Sequence, residues 1–239
     1  NAGDNQRAGV AIRRAQEIQR AADPDHPAYI DTLNLVAQQL WFEGRLPESK
    51  DASERALALA ERKLRPEHPT LARTIRYLAG TLADLGDLAR SHALRERALR
   101  IGEREFGPDH YETAVLLNSV GMGDQELGEY GSARQRFERV TEIFVSRLGP
   151  AHDFVATARL NLAVTEARLG DFAAARREHG RAITAWQKAL GKDHPFVASA
   201  LTELADAFRE QGRPAEALPL LQRALAIREK SLTRDHRDV

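Results

Sequence analysis

Residues 107–148 read GPDHYETAVLLNSVGMGDQELGEYGSARQRFERVTEIFVSRL, and the rest of the chain restates this plan. His110 is one of six histidines, at 26, 68, 110, 152, 194 and 236, spaced 42 residues apart without slippage. Gly128 is one of five glycines, at 44, 86, 128, 170 and 212, that keep the same interval. A fixed period of 20–50 residues marks a repeat architecture, in which each unit leans on its neighbours. Within the quoted stretch two apolar series run at helical spacing. One passes through Ala114 and Val120-Gly121; the other passes through Val140 and Ile143 and ends at Leu148. The first recurs as Ala72, Ala156 and Ala198 and as Val36-Ala37, Leu78-Ala79, Leu162-Ala163 and Leu204-Ala205. A large residue followed by a small one suits a close helix crossing. Both series predict amphipathic helices.

The punctuation agrees. Pro27, Pro69 and Pro195 follow their histidines and suit a first helical position, which needs no amide hydrogen. The recurrent glycine suits the left-handed residue that closes a helix. Gly-Pro at 107–108 and 149–150, Asp23-Pro24 and Arg65-Pro66 interrupt the chain before new units. Each unit is thus a hairpin, with helix A from histidine to glycine and helix B from glycine to the next break. No strand pattern occurs. The expected fold is all-α, a right-handed solenoid of antiparallel helix hairpins. Five repeats start near 26, 68, 110, 152 and 194 and fill residues 26–232. Residues 1–25 carry the lone helix B of a truncated preceding unit, and 233–239 open a further repeat. The start at Asn1 and the stop at Val239 read as cuts from a longer array or multidomain protein.

Composition narrows the function classes. Lysine plus arginine equals aspartate plus glutamate at 35 each. There is therefore no global field to gather nucleic acid or an anionic membrane. Cysteine is absent, which removes disulfides, thiolate metal sites and cysteine nucleophiles, and agrees with a cytoplasmic setting. No apolar run approaches 18 residues, and no leader pattern opens the chain. Gly-rich phosphate loops, His-Glu-x-x-His and Gly-x-Ser-x-Gly are missing as well. We expect no catalysis, no cofactor and no metal. The histidine ladder cannot close on one ion, because equivalent atoms in successive hairpins stand about 10 Å or more apart. It reads as a set of helix-start joints.

These residues resemble tetratricopeptide repeats of the lengthened 42-residue kind found in kinesin light chains and many bacterial proteins. The resemblance is carried by Asp-His-Pro at 25–27 and 193–195 and by Gly-Pro-Asp-His at 107–110. The Leu-Ala pairs of helix A and Arg-Ala-Leu at 55–57, 97–99 and 223–225 in helix B add to it. It spans residues 24–236, with departures at Tyr111 and Asp153 for proline and at Arg159-Leu160 for the usual Leu-Asn. It implies a concave groove, lined by helix A, that binds an extended peptide or partner segment. The implied groove positions include Asp31, Asn34, Gln38 and Trp41 in the first repeat, Arg73, Arg76 and Gly80 in the second, and Asn118, Met122 and Gln125 in the third. Asn34 and Asn118 keep the asparagine that in this family bonds peptide backbone.

Some residues stand out against the repeat. Trp41-Phe42 is matched elsewhere by small or polar pairs. It is either a cap on the helix at 6–22 or an anchor for a ligand side chain. Arg73 and Arg76, one turn apart, would combine with Trp41 into a pocket for an acidic or aromatic-acidic peptide; a functionally silent surface is the alternative. Met122 is either a groove or a core residue. Arg55, Arg97, Arg139, Arg181 and Arg223 recur at one helix B position and read as braces to a preceding carboxylate such as Glu54, Glu96 or Glu138 or to one in the next turn; a basic stripe for phosphate or acidic partners is the alternative. His92 and His179 are expected on exposed helix B surface. The protein is thus expected to be an interaction scaffold with a protein or peptide ligand. Two readings stand beside it. One is a regulatory segment of a larger bacterial kinase, nucleotide-dependent switch protein or protease. The other is self-association through open array ends.

Overall fold

The computed structural model describes residues 11, 14, 17, 18, 21 and 23–235, with backbone alone beyond 231. The lone helix expected at 5–22 falls largely outside these residues, and its five described positions are helical. Residues 236–239, including His236, also lie outside. Among the described residues all regular structure is α-helical. Helices A are α1 (Ala28–Phe42), α3 (Pro69–Asp84), α5 (Tyr111–Glu126), α7 (Asp153–Arg168) and α9 (Pro195–Glu210). Helices B are α2 (Leu46–Lys63), α4 (Leu88–Phe106), α6 (Tyr130–Leu148), α8 (Phe172–Leu190) and α10 (Pro214–Asp235). The chain forms two compact units, residues 1–127 and 128–239.

The periodic histidines are N-caps. Nδ1 of His68 accepts the Thr70 amide hydrogen at 3.1 Å, and His110, His152 and His194 accept from Glu112, Phe154 and Phe196 at 3.2, 3.2 and 3.3 Å. His26 does the same for Ala28 at 3.2 Å. Each ring satisfies one of the amides that a helix start leaves without an internal partner. Pro69 and Pro195 follow as first helical residues, whereas Pro27 stands one residue ahead of its helix. The A-to-B turn is closed by glycine. At Gly86, φ is +85°, its N–H donates to Ala83 O, and the Asp87 N–H reaches back to Leu82 O. That pattern needs a left-handed residue, which a side chain would strain.

Small residues set the hairpin crossing. Ser49 Oγ donates to Ala37 O at 2.8 Å, and one repeat later Ser91 Oγ donates to Ala79 O at 2.7 Å. Ala133, Ala175 and Ala217 take the same helix B position and are equally buried. In the first unit Ile30, Leu33, Leu59, Leu71 and Ile75 build the core; in the second Ile183, Trp186, Val197, Leu201 and Leu204 do so.

Charged side chains brace helices B, some across to the neighbouring helix B and some one turn along the same helix, rather than to the preceding glutamates. Arg97 bonds Glu61 of the preceding helix B at 2.6 Å, Arg139 bonds Glu142 at 3.1 Å and Arg181 bonds Glu178 at 2.5 Å. The preceding residue cannot serve, because neighbours in sequence point about 100° apart around a helix. Glu54 instead holds Arg90 at 2.9 Å. His92 also departs from expectation: its Nε2 meets Oδ1 of the buried Asp124 at 2.7 Å. Asp124 and Glu166 take a helix A position that is Leu40, Leu82 and Phe208 in other repeats, so inward carboxylates there need cations. Glu166 faces Arg134, one period after His92, and burial nonetheless raises its pKa.

Candidate functional site

One helix B position decides where this array has room. Residues 53, 95, 137, 179 and 221 are Ser, Arg, Phe, His and Leu. The first four are buried although their chemistry has nothing in common. Phe137 and Leu162 share a core cluster with Ala133. Arg95 passes beside Gly123 and bonds Glu126 with both terminal nitrogens, at 2.8 and 3.1 Å. Ser53 is too small to fill the same place, and a cavity of about 190 Å³ results.

Trp41, Tyr77 and Arg76 surround that cavity, Gly80 opens its side, and Ser53, Thr81 and Ala37 line it from below. A Cβ placed on Gly80 would meet nothing within 4 Å, and the other repeats carry Gln38, Met122, Val164 and Asp206 at that position. The space therefore exists because two side chains present elsewhere are missing here. The hydroxyl of Ser53 is buried with no hydrogen-bond partner among the described residues. Such groups are rarely left unpaired, since desolvation costs about 1–3 kcal/mol. The Arg76 guanidinium lies 4.9 Å from the Tyr77 ring centroid and has no carboxylate partner among the described residues. A cavity of about 150 Å³ already accepts benzene. This one admits an aromatic ring, with a hydroxyl beneath it and a cation beside it.

The expected groove residues divide into groups. Gln38, Trp41 and Arg76 meet at the cavity. Trp41 is 41% exposed and its indole N–H donates to Asp84 of α3, so it turns toward the next helix A. Phe42 packs edge-on against it and is 69% exposed. Asp31 and Arg73 pair with each other at 2.5 Å. Arg73 and Arg76 also border a second cleft, of about 130 Å³, between α3 and α5. Met122 is exposed rather than core, and the Asn118 amide lies 3.8 Å from its sulfur. Gln125 is half-buried at the end of α5. Asn34 departs from expectation. It is 4% exposed, and its amide donates to Thr74 Oγ1 at 2.9 Å, so it is turned into the α1–α3 interface, away from any peptide backbone.

His179 is a second correction. Expected on the surface, it is 2% exposed, with Nδ1 bonding Ala175 O at 2.9 Å and Nε2 buried without a partner. Burial lowers its pKa, with the backbone bond opposing. The unfolded ring takes up a proton near pH 6.5, whereas the folded ring resists it. Its effect on stability is therefore neutral above that pH and unfavourable below it, by at most about 1.4 kcal/mol per pH unit. We expect wild-type stability to fall relative to His179→Leu between pH 6.5 and 5.5 in urea titrations. Parallel pH profiles would refute the assignment.

A family model described as tetratricopeptide repeat matches residues 70–144 and 154–230, and a second of the same description matches 121–183. The chain belongs to the tetratricopeptide repeat family. Solved structures of this fold include a Podosopora anserina putative kinesin light chain with TPR-like repeats. It is 23% identical, with 86% of this chain and 98% of that one covered and a TM-score of 0.71. BtubC (BKLC) from P. vanneervenii is 22% identical, with 96% and 90% covered and a TM-score of 0.73. A Rap protein complexed with Competence and Sporulation Factor is 16% identical, with 95% and 71% covered and a TM-score of 0.66. A search of curated proteins finds no match. Tetratricopeptide repeats are in general non-catalytic protein-interaction scaffolds with protein or peptide partners, and among the described residues no helix is long and apolar enough to cross a membrane.

Ser53 and Tyr77, which shape the cavity of this tetratricopeptide repeat chain, escaped sequence reading, whereas Gly80 fell at a groove position implied by the resemblance. Gly80 was visible as a glycine inside a helix, where it costs about 1 kcal/mol relative to alanine. Ser53 and Tyr77 left no comparable signal.

Proposed function

We propose that the helix A face of residues 28–126 binds an extended acidic peptide through one bulky side chain seated between Trp41 and Tyr77. The observation that carries this reading is the cavity itself, made by Ser53 and Gly80 where other repeats have larger residues. An aromatic ring fills it, the Ser53 hydroxyl gains a partner, and Arg76 meets a carboxylate on the flanking peptide. Asp31, Arg73, Asn118, Met122 and Gln125 extend the face on either side. Binding is non-catalytic. The lack of cysteine in the sequence supports a cytoplasmic setting. The Rap protein found complexed with Competence and Sporulation Factor supports the capacity of this fold to hold a ligand.

Calorimetry with synthetic acidic peptides bearing a single tryptophan or tyrosine tests the reading. Ser53→Leu places at 53 the residue that position 221 already uses. It should raise stability by about 1–2 kcal/mol, through a filled cavity and a removed orphan hydroxyl, while peptide binding is lost. Arg76→Glu should weaken binding with no change in melting. Binding that survives both changes removes the groove from consideration.

A further inference from the structure

The second unit holds a basic cleft of about 470 Å³ between α8, α7 and the loop that precedes α7. Arg159, Arg177, Arg181 and Lys188 line it, with Gly180 and Thr184 between them. The repeat shows how unusual this is. Position 159 is Leu33, Ile75, Leu117 and Leu201 in the other units, so a core residue has become a cation. Position 180 is Glu54, Glu96, Glu138 and Gln222 elsewhere, so a carboxylate has become a glycine.

The two exchanges act together. Arg159 is held by the buried Glu178 at 2.8 Å, and the same carboxylate takes Arg181 at 2.5 Å. One carboxylate thus serves two guanidinium groups and leaves several of their N–H donors for something else. Arg177 and Lys188 have no carboxylate partner among the described residues. A glutamate at 180 would have placed a negative charge among these cations. Its absence leaves four cations against one buried carboxylate and opens the space in which they converge.

We infer that this cleft binds a phosphate monoester carried on a side chain of a partner protein. A phosphomonoester brings close to two negative charges and three acceptor oxygens. It can engage several forked guanidinium donors at once, where a carboxylate satisfies about one. The cleft is local and the chain has no net charge, so a polyanion such as nucleic acid or an anionic membrane finds no extended field. None of the lining residues is a helix A groove position, so the site stands independently of peptide capture by the first unit.

Fluorescence anisotropy of the 239-residue chain with a labelled phosphoserine peptide of otherwise uncharged sequence tests this. The unphosphorylated peptide and a single-stranded oligonucleotide serve as the other arms. The phosphopeptide should bind and the unphosphorylated one should not. Gly180→Glu restores the carboxylate of the other repeats, and a Cβ there meets nothing within 4 Å, so the fold is retained. It should weaken binding by about tenfold or more. Gly180→Gln, equal in size but uncharged, should bind more tightly than Gly180→Glu. Arg177→Ala should weaken binding as well. Equal binding of the two peptides, indifference to Gly180→Glu, or preference for the oligonucleotide each overturns the assignment.

Discussion

Replacing Phe137 with alanine is expected to cost about 3–5 kcal/mol of unfolding free energy in the second unit. The side chain is 0% exposed and packs with Ala133 and Leu162. A phenyl ring removed from such a site loses its transfer free energy and leaves a cavity that rigid helices cannot collapse around. In an array where each hairpin leans on its neighbours, little else compensates. The two tryptophans make the measurement specific, since Trp41 lies in the first unit and Trp186 is buried in the second. In a Trp41→Phe background, urea unfolding followed by Trp186 fluorescence should show the midpoint falling sharply. Phe137→Leu, which copies position 221, should cost far less. A loss below about 1 kcal/mol for alanine would mean that Phe137 does not hold the hairpins together.

The second large effect falls on charge. Glu126→Ala is expected to destabilise the first unit by about 3 kcal/mol, because it strands Arg95. The Arg95 side chain is 4% exposed, and its Nε already lacks a partner. Its two remaining nitrogens depend on Glu126. Gly123 makes the route passable: a Cβ there would stand 3.0 Å from Arg95 Nη1 and 2.8 Å from the His92 ring. The double variant Arg95→Leu/Glu126→Ala should recover most of the loss, since an apolar residue at 95 leaves no buried charge to satisfy. A double-mutant cycle read by circular dichroism decides it. Additive single effects would show that the pair is not coupled.

Both predictions concern the helix B position occupied by Ser53, Arg95, Phe137, His179 and Leu221, and that position shows how far sequence reasoning reached. The spacing of histidine and glycine was sufficient for the hairpins and their ends, and the motifs at 25–27, 107–110 and 193–195 carried the resemblance to the family. The place of the histidines at helix starts was legible too, because a helix start is a local event, whereas the capping bond of each ring was not. The inward turn of helix B at residue 53 was not legible. Five unrelated residue types at one phase carry no hydrophobic signal, so His179 read as surface. Asn34 misled for the complementary reason: its family role concerns a ligand, whereas here Thr74 claims its amide. Trp41 and Arg76 were visible as breaks in the rhythm and were expected to share a pocket, but the space that Ser53 leaves between them was not legible.

Ten helices among the described residues and their order follow from local signals, because propensity, caps and turn glycines act within a few residues. Packing then chose which side chains face one another across neighbouring helices. That choice created a cavity where Ser53 and Gly80 meet and a cationic cleft where Gly180 replaces glutamate. Burial and partner choice are set by packing between residues tens of positions apart, and a missing side chain becomes a site only when its neighbours are in place.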